Sequence, residues 1–73
     1  MITSKITGKT YSPSDAVYIT NVLQVKKMLD YIGPEDLYDV LWTSEKRPDA
    51  LVFVWAKNER TKECKNLWDQ HLL

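Results

Sequence analysis

Reactive and stapling residues are scarce in this chain: one cysteine, one histidine and two glycines among 73 residues. The lone Cys64 excludes an internal disulfide, and no N-terminal apolar segment of signal-peptide length is present, so a reducing, cytoplasmic location is expected. The longest apolar run is the seven residues "ALVFVWA", 50–56, far too short to cross a bilayer. No charge of one sign dominates, since ten basic and ten acidic residues cancel. That balance argues against a general polyanion binder and against an acidic nucleic-acid mimic. A phosphate loop is excluded as well. "GKT", residues 8–10, matches the end of such a loop, but its first glycine would fall on Thr3, with no room for the preceding strand. Gly8 reads instead as a turn.

What is present suffices for one small domain. Hydrophobic residues make up 44% of the chain and include three Trp, enough to fold at a length near the lower limit for a single core. Residues 1–15, with isolated apolar positions at Ile2, Ile6 and Tyr11, read as an N-terminal arm or weak edge strand. Residues 16–73 read as the domain proper. "AVYIT", 16–20, is β-branched and aromatic, and Asn21 with Gln24 has capping-box spacing. A helix then spans about Val22 to Ile32, with Val22, Val25, Leu29 and Ile32 on one face and Met28 alongside. Gly33 and Pro34 stop it. A competing reading starts this helix back at Ser14, because Tyr18 also lies on the apolar stripe.

Two strand-like runs follow, "LYDVLWT" (37–43) and "ALVFVWA" (50–56), joined as a hairpin by "SEKRPD". Cys64, Leu67, Trp68, His71 and Leu72 recur at helical spacing, giving a second amphipathic helix capped by Asn58 or Thr61. Trp68 is assigned to the core. The order β-α-β-β-α predicts an α+β fold, a three-stranded antiparallel or mixed sheet with both helices on one face. If the first strand lies beside the third, "ALVFVWA" is central.

Alternation along that strand sends Leu51, Phe53 and Trp55 one way and Val52 and Val54 the other. In the preceding strand it separates Tyr38, Val40 and Trp42 from Leu37, Asp39, Leu41 and Thr43. Two short helices cover one sheet face. The other is expected to expose Val52, Val54 and either the Tyr38, Val40, Trp42 set or its alternate, a patch of the kind that marks an interface with a second copy or a target protein. The competing reading has the arm fold back over that face through Ile2, Ile6 and Tyr11.

No catalytic, cofactor or metal site is expected. Cys64 and His71 lie about 10.5 Å apart along a helix axis at 1.5 Å per residue, too far for a nucleophile and its base or for a metal cage, and both are placed on the inner helix face. Glu35, Asp36, Asp39, Glu59 and Glu63 are taken as solvated surface. Basic residues gather at Lys26 with Lys27, at Lys46 with Arg47, and at Lys57, Arg60, Lys62 and Lys65. The last group is the candidate phosphate-contacting patch of a nucleic-acid-binding alternative, with Trp42 or Tyr38 for base stacking.

"VYITNVLQVKKMLDYIG", "LYDVLW", "ALVFVWA" and "TKECKNLWDQHL" together resemble a family of short uncharacterised proteins, a domain of unknown function, encoded by phages and integrated elements of Gram-positive bacteria. The similarity covers roughly residues 17–73, with Tyr18, Ile19, Asn21, Gln24, Tyr31 and Gly33 among the matching features. It carries no catalytic residues over. It implies a context in which small accessory proteins bind and modulate host proteins, including components of defence systems such as CRISPR nucleases. Small size, the absence of reactive constellations and the apolar surface of the sheet add the expectation of a cytoplasmic, non-enzymatic protein-binding module, and for a mobile-element factor one that inhibits a host protein.

Overall fold

The computed structural model describes residues 1–42 and 51–73. In chain order its elements are β1 (Ile2–Thr3), β2 (Thr10–Tyr11), a 3-10 turn (Pro13–Asp15), β3 (Ala16–Ile19), α1 (Val22–Ile32), β4 (Leu37–Trp42), β5 (Leu51–Ala56) and α2 (Glu59–Asp69). The expected "SEKRPD" connection, the strand ends Thr43 and Ala50, and the Lys46–Arg47 pair lie outside the described residues.

Asn21 makes the change from strand to helix. Its side-chain oxygen accepts from the N–H groups of Leu23 and Gln24, which satisfies two of the donors that open α1. Residues 16–19 are therefore a strand, and the longer helix reaching back to Ser14 does not form. Gly33 ends α1 at a φ of 75°, a left-handed conformation that side chains with a Cβ disfavour. At α2, Asn58 rather than Thr61 is the cap: its side chain accepts from Thr61 N–H, and Thr61, inside the first turn, completes the capping box by accepting from Asn58 N–H at Oγ1.

The three-stranded sheet is antiparallel, in the order β3-β5-β4, so Leu51–Ala56 supplies the central strand as expected. Both helices cover the face that carries Phe53 and Trp55. Ile19, Val25, Met28, Trp55 and Cys64 form the buried cluster, with Val17, Leu29, Ile32, Leu37, Phe53 and Leu73 packed against it. Within this cluster Met28, Trp55 and Cys64 are wholly inaccessible, and removing their apolar surface from water stabilises the fold. Four helix assignments change, the first being Leu72, which lies beyond the end of α2 and is 69% exposed. Val22 is 65% exposed, because α1 turns Val25 and Met28 rather than its first residue toward the sheet. Trp68 is only half-buried and is not part of the buried cluster. His71 is exposed at a φ of 61°, because α2 stops at Asp69 before the inner stripe reaches it.

Strand β4 does not alternate evenly. Leu37 pairs with Trp55 and Asp39 with Val54, leaving Tyr38 as the extra residue of a β-bulge. Leu37 and Val40 thus reach the helix face together, while Tyr38 and Asp39 turn to the opposite face. The Tyr38, Val40, Trp42 set is split by this shift.

The middle of the face opposite the helices, around Val54 and Asp39, is covered by the arm, while Tyr18 and Leu41 at its margins stay exposed. β1 and β2 pair as a short hairpin, and Tyr11 stacks on Tyr38 with ring centroids 5.2 Å apart. Tyr11 Oη donates to Asp39 Oδ2 at 2.9 Å and Ser4 Oγ donates to Asp39 Oδ1 at 2.7 Å. Thr7 Oγ1 donates to the Tyr38 carbonyl, and Lys9 Nζ to that of Glu35. Tyr11, Ser4, Asp39 and Val54 are buried as a result. Of the arm residues expected to pack, Tyr11 does so, whereas Ile2 and Ile6 stay exposed. Polar contacts anchor the arm, with a single aromatic ring supplying the apolar cover.

Candidate functional site

β5 runs into α2 through only two residues, Lys57 and Asn58, and β5 is paired with β3. The start of α2 therefore sits beside the edge strand β3. Between them lies a cleft of about 420 Å³. Val17 and Ile19 of β3 and Met28 of α1 supply its apolar lining; Asn58, Glu59 and Thr61 line the start of α2; Lys57, Lys62 and Lys65 bring positive charge. A second hollow of about 230 Å³ continues past Tyr18, Thr20, Asn21 and Gln24 and shares Val17, Ile19 and Lys65 with the first. The two form one groove along the strand edge. Three lysines and one carboxylate line its main part. Among the described residues these lysines take part in no ion pair.

The backbone of β3 adds hydrogen-bonding capacity to this groove. Asp15 C=O accepts from Lys57 N–H at 2.9 Å, which fixes the ladder so that Val17 and Ile19 exchange bonds with β5 and the intervening residues point their backbone groups outward. Ala16 N–H is taken by Pro13 C=O. Tyr18 N–H, Tyr18 C=O and Ala16 C=O have no backbone partner among the described residues.

Arg60 separates from the other basic residues. Its Nε and Nη2 bind Asp36 Oδ2 and Oδ1 at 2.8 and 2.9 Å, and Asn58 Nδ2 donates to the same carboxylate. The paired Arg60 guanidinium holds the Asp36 carboxyl below the usual range, against the opposing effect of burial. Arg60 therefore ties α2 to the start of β4. Asp36 and Asp39, expected as solvated surface, are both buried and fully engaged. Burial pushes the Asp39 carboxyl up, yet hydrogen bonds from Ser4, Tyr11 and Val40 N–H outweigh it and keep the group low. Burial and the same carboxylate push the Tyr11 phenol up to about 12.

The five interface candidates do not form one patch. Tyr38, Val52 and Val54 belong to the arm side, with Val54 wholly buried, so it offers no surface to a partner. Val40 and Trp42 belong to the helix side. Trp42 is 63% exposed at the far end of the sheet and Val40 half-buried. The expectation of a face open at Val54 fails because the arm fills its centre, leaving Tyr18 and Leu41 exposed at the margins. Of the nucleic-acid candidates, Lys57, Lys62 and Lys65 are brought together and Arg60 is diverted. Val17, Ile19 and Met28 were not singled out by the sequence as site residues. The edge position of the first strand was the available signal for the first two.

Comparison with protein-family models, with curated proteins and with solved structures gives no match. Among the described residues no helix is long and apolar enough to cross a membrane.

Proposed function

We propose that this protein is a non-enzymatic protein-binding module whose docking surface is the lysine-lined groove beside β3. The observation that carries the reading is the coincidence of an apolar floor, three lysines without ion-pair partners among the described residues, and outward backbone groups on one strand edge. An apolar floor excludes water from a partner's side chain while the rim selects by charge. Cys64 supports the absence of nucleophilic chemistry, because it is wholly buried and burial pushes its thiol up, away from the reactive thiolate. The resemblance to phage and integrated-element proteins supports a more specific form: a cytoplasmic factor that inhibits a host protein, with defence-system components such as CRISPR nucleases as the class to test.

Capture from a Gram-positive host lysate with the wild-type chain and with a variant carrying Lys57→Glu, Lys62→Glu and Lys65→Glu tests the site. All three positions are exposed, so thermal melts of the two should nearly coincide. Loss of a saturable partner from the variant is the expected result. A partner retained at wild-type level by a folded variant would overturn the assignment of the groove.

A further inference from the structure

We propose that the groove takes an extended acidic segment of a partner protein, which adds to β3 as a fourth strand of the sheet. The inference rests on the protein-binding reading above and names the chemistry of the ligand. Three observations define it. β3 is an edge strand whose only ladder partner among the described residues is β5. Its outward groups, Tyr18 N–H and C=O with Ala16 C=O, alternate donor and acceptor at the spacing an incoming strand satisfies. The side of the edge that faces the helices opens onto Val17, Ile19 and Met28, rimmed by Lys57, Lys62 and Lys65 with Glu59 as the single opposing charge.

Side chains of an added strand alternate between the two faces of the sheet. Those on the helix side enter the groove, so a branched apolar residue there meets Val17 and Ile19, and carboxylates two positions to either side of it meet the lysines. The partner is thus read as a segment with an acidic-apolar-acidic pattern at every second position. A second copy of this chain fits less well, because pairing β3 with its own copy brings two lysine clusters toward each other. Lysines near a sheet edge also discourage self-pairing in the free protein. Nucleic acid would use the lysines but leave the apolar floor and the outward amides without a role.

The test uses the full chain and a seven-residue capped peptide with Glu, Val, Glu at alternating positions and Thr between. Labelled peptide binding is followed by anisotropy, and amide exchange at Tyr18 by NMR. The acidic peptide should bind and slow exchange of the Tyr18 amide, and the same peptide with Lys in place of Glu should bind about tenfold more weakly or worse. Tyr18→Pro removes the outward N–H while leaving the side that pairs with β5 intact, a substitution an edge strand accepts. It should lose the peptide, whereas Tyr18→Ala, which keeps the N–H, should retain it. N-methylation of the peptide at its edge-facing amides supplies the same test without altering the protein. Undiminished binding of the N-methylated peptide, or of the acidic peptide to a folded Tyr18→Pro variant, would overturn strand addition. So would a chain that sediments as a dimer dissociated by Tyr18→Pro, which makes a second copy the occupant, or an oligonucleotide that displaces the peptide with steep salt dependence. If strand addition fails while the triple lysine variant still loses its captured partner, the protein-binding reading stands and only the mode of binding falls.

Discussion

Asp39 is the residue on which the arm depends, since its two oxygens accept from Ser4, Tyr11 and the Val40 N–H. A buried carboxylate is costly unless its lone pairs are filled by donors, and here three donors fill them. Asp39→Ala leaves the Ser4 and Tyr11 hydroxyls facing a void. It should cost about 1.5 to 3 kcal/mol in a denaturant titration, the range for hydrogen bonds to a charged group. The pH dependence follows from the same contacts. Asp36 and Asp39 both titrate below the usual 3.8 in the folded chain, so the unfolded chain takes up their protons first as acid is added. Their stabilisation is complete above the ordinary carboxylate range and is lost as pH falls through the lowered folded values. Melting temperature should be flat near neutrality and drop in acid below about pH 4, less steeply for Asp39→Ala than for wild type. Equal acid slopes for the two proteins would remove Asp39 from this account.

At the scale of elements, the junction between β5 and α2 sets the geometry of the groove. Asn58 caps α2 through Thr61 N–H and also donates to Asp36, which Arg60 grips from the helix side. One side chain therefore fixes both where α2 starts and how it is aimed past β3. Asn58→Ala should destabilise the chain by about 1 to 2 kcal/mol, as removal of a helix cap does. It should also shift the NMR signals of Lys62 and Lys65, because the helix that carries them is then held to Asp36 by Arg60 alone. Asn58→Ser, which keeps a cap acceptor without reaching Asp36, separates the two roles: recovery of stability without recovery of those signals is the expected pattern. The bulge at Tyr38 is the second device at this scale. By inserting one residue it lets Tyr38 and Asp39 serve the arm side while Leu37 and Val40 both serve the helix side.

For the whole molecule, the consequence is a sheet whose centre is covered on both faces, by helices on one and the arm on the other, with Tyr18, Leu41, Trp42 and Leu51 left exposed at its margins. Val54 is wholly buried beneath the arm, so Val54→Asp places a carboxylate where no water reaches it. The expected result is a loss of several kcal/mol and an unfolded or aggregated chain, measured by thermal melts beside sedimentation. A soluble, folded monomer from this variant would mean that the arm leaves the sheet readily in solution. With the centre of both faces occupied, the edge of β3 presents unpaired backbone beside an apolar hollow.

Local physics made the elements legible in the sequence. Asn21 and Asn58 as caps, Gly33 as a stop, the helical recurrence of Val25, Met28, Leu29 and Ile32, and the β-branched run of "ALVFVWA" all act within a few residues of chain, and their order gave the α+β class with β5 at the centre. The groove was half legible, as a basic cluster without its apolar floor. What the sequence left open depended on contacts between distant positions. Ser4 and Tyr11 reach Asp39 across 35 and 28 residues, and no periodicity records such a pairing, so the arm's cover of Val54 could be stated only as one of two possibilities. The bulge escaped for a related reason: a strand's alternation is a local rule, and the extra residue shows only when its partner strand fixes the register. The division of the basic residues was likewise tertiary. Arg60 and Lys62 are two positions apart, yet a helix turns them about 200° from each other, and only the folded chain brings Asp36 to one and the edge of β3 to the other.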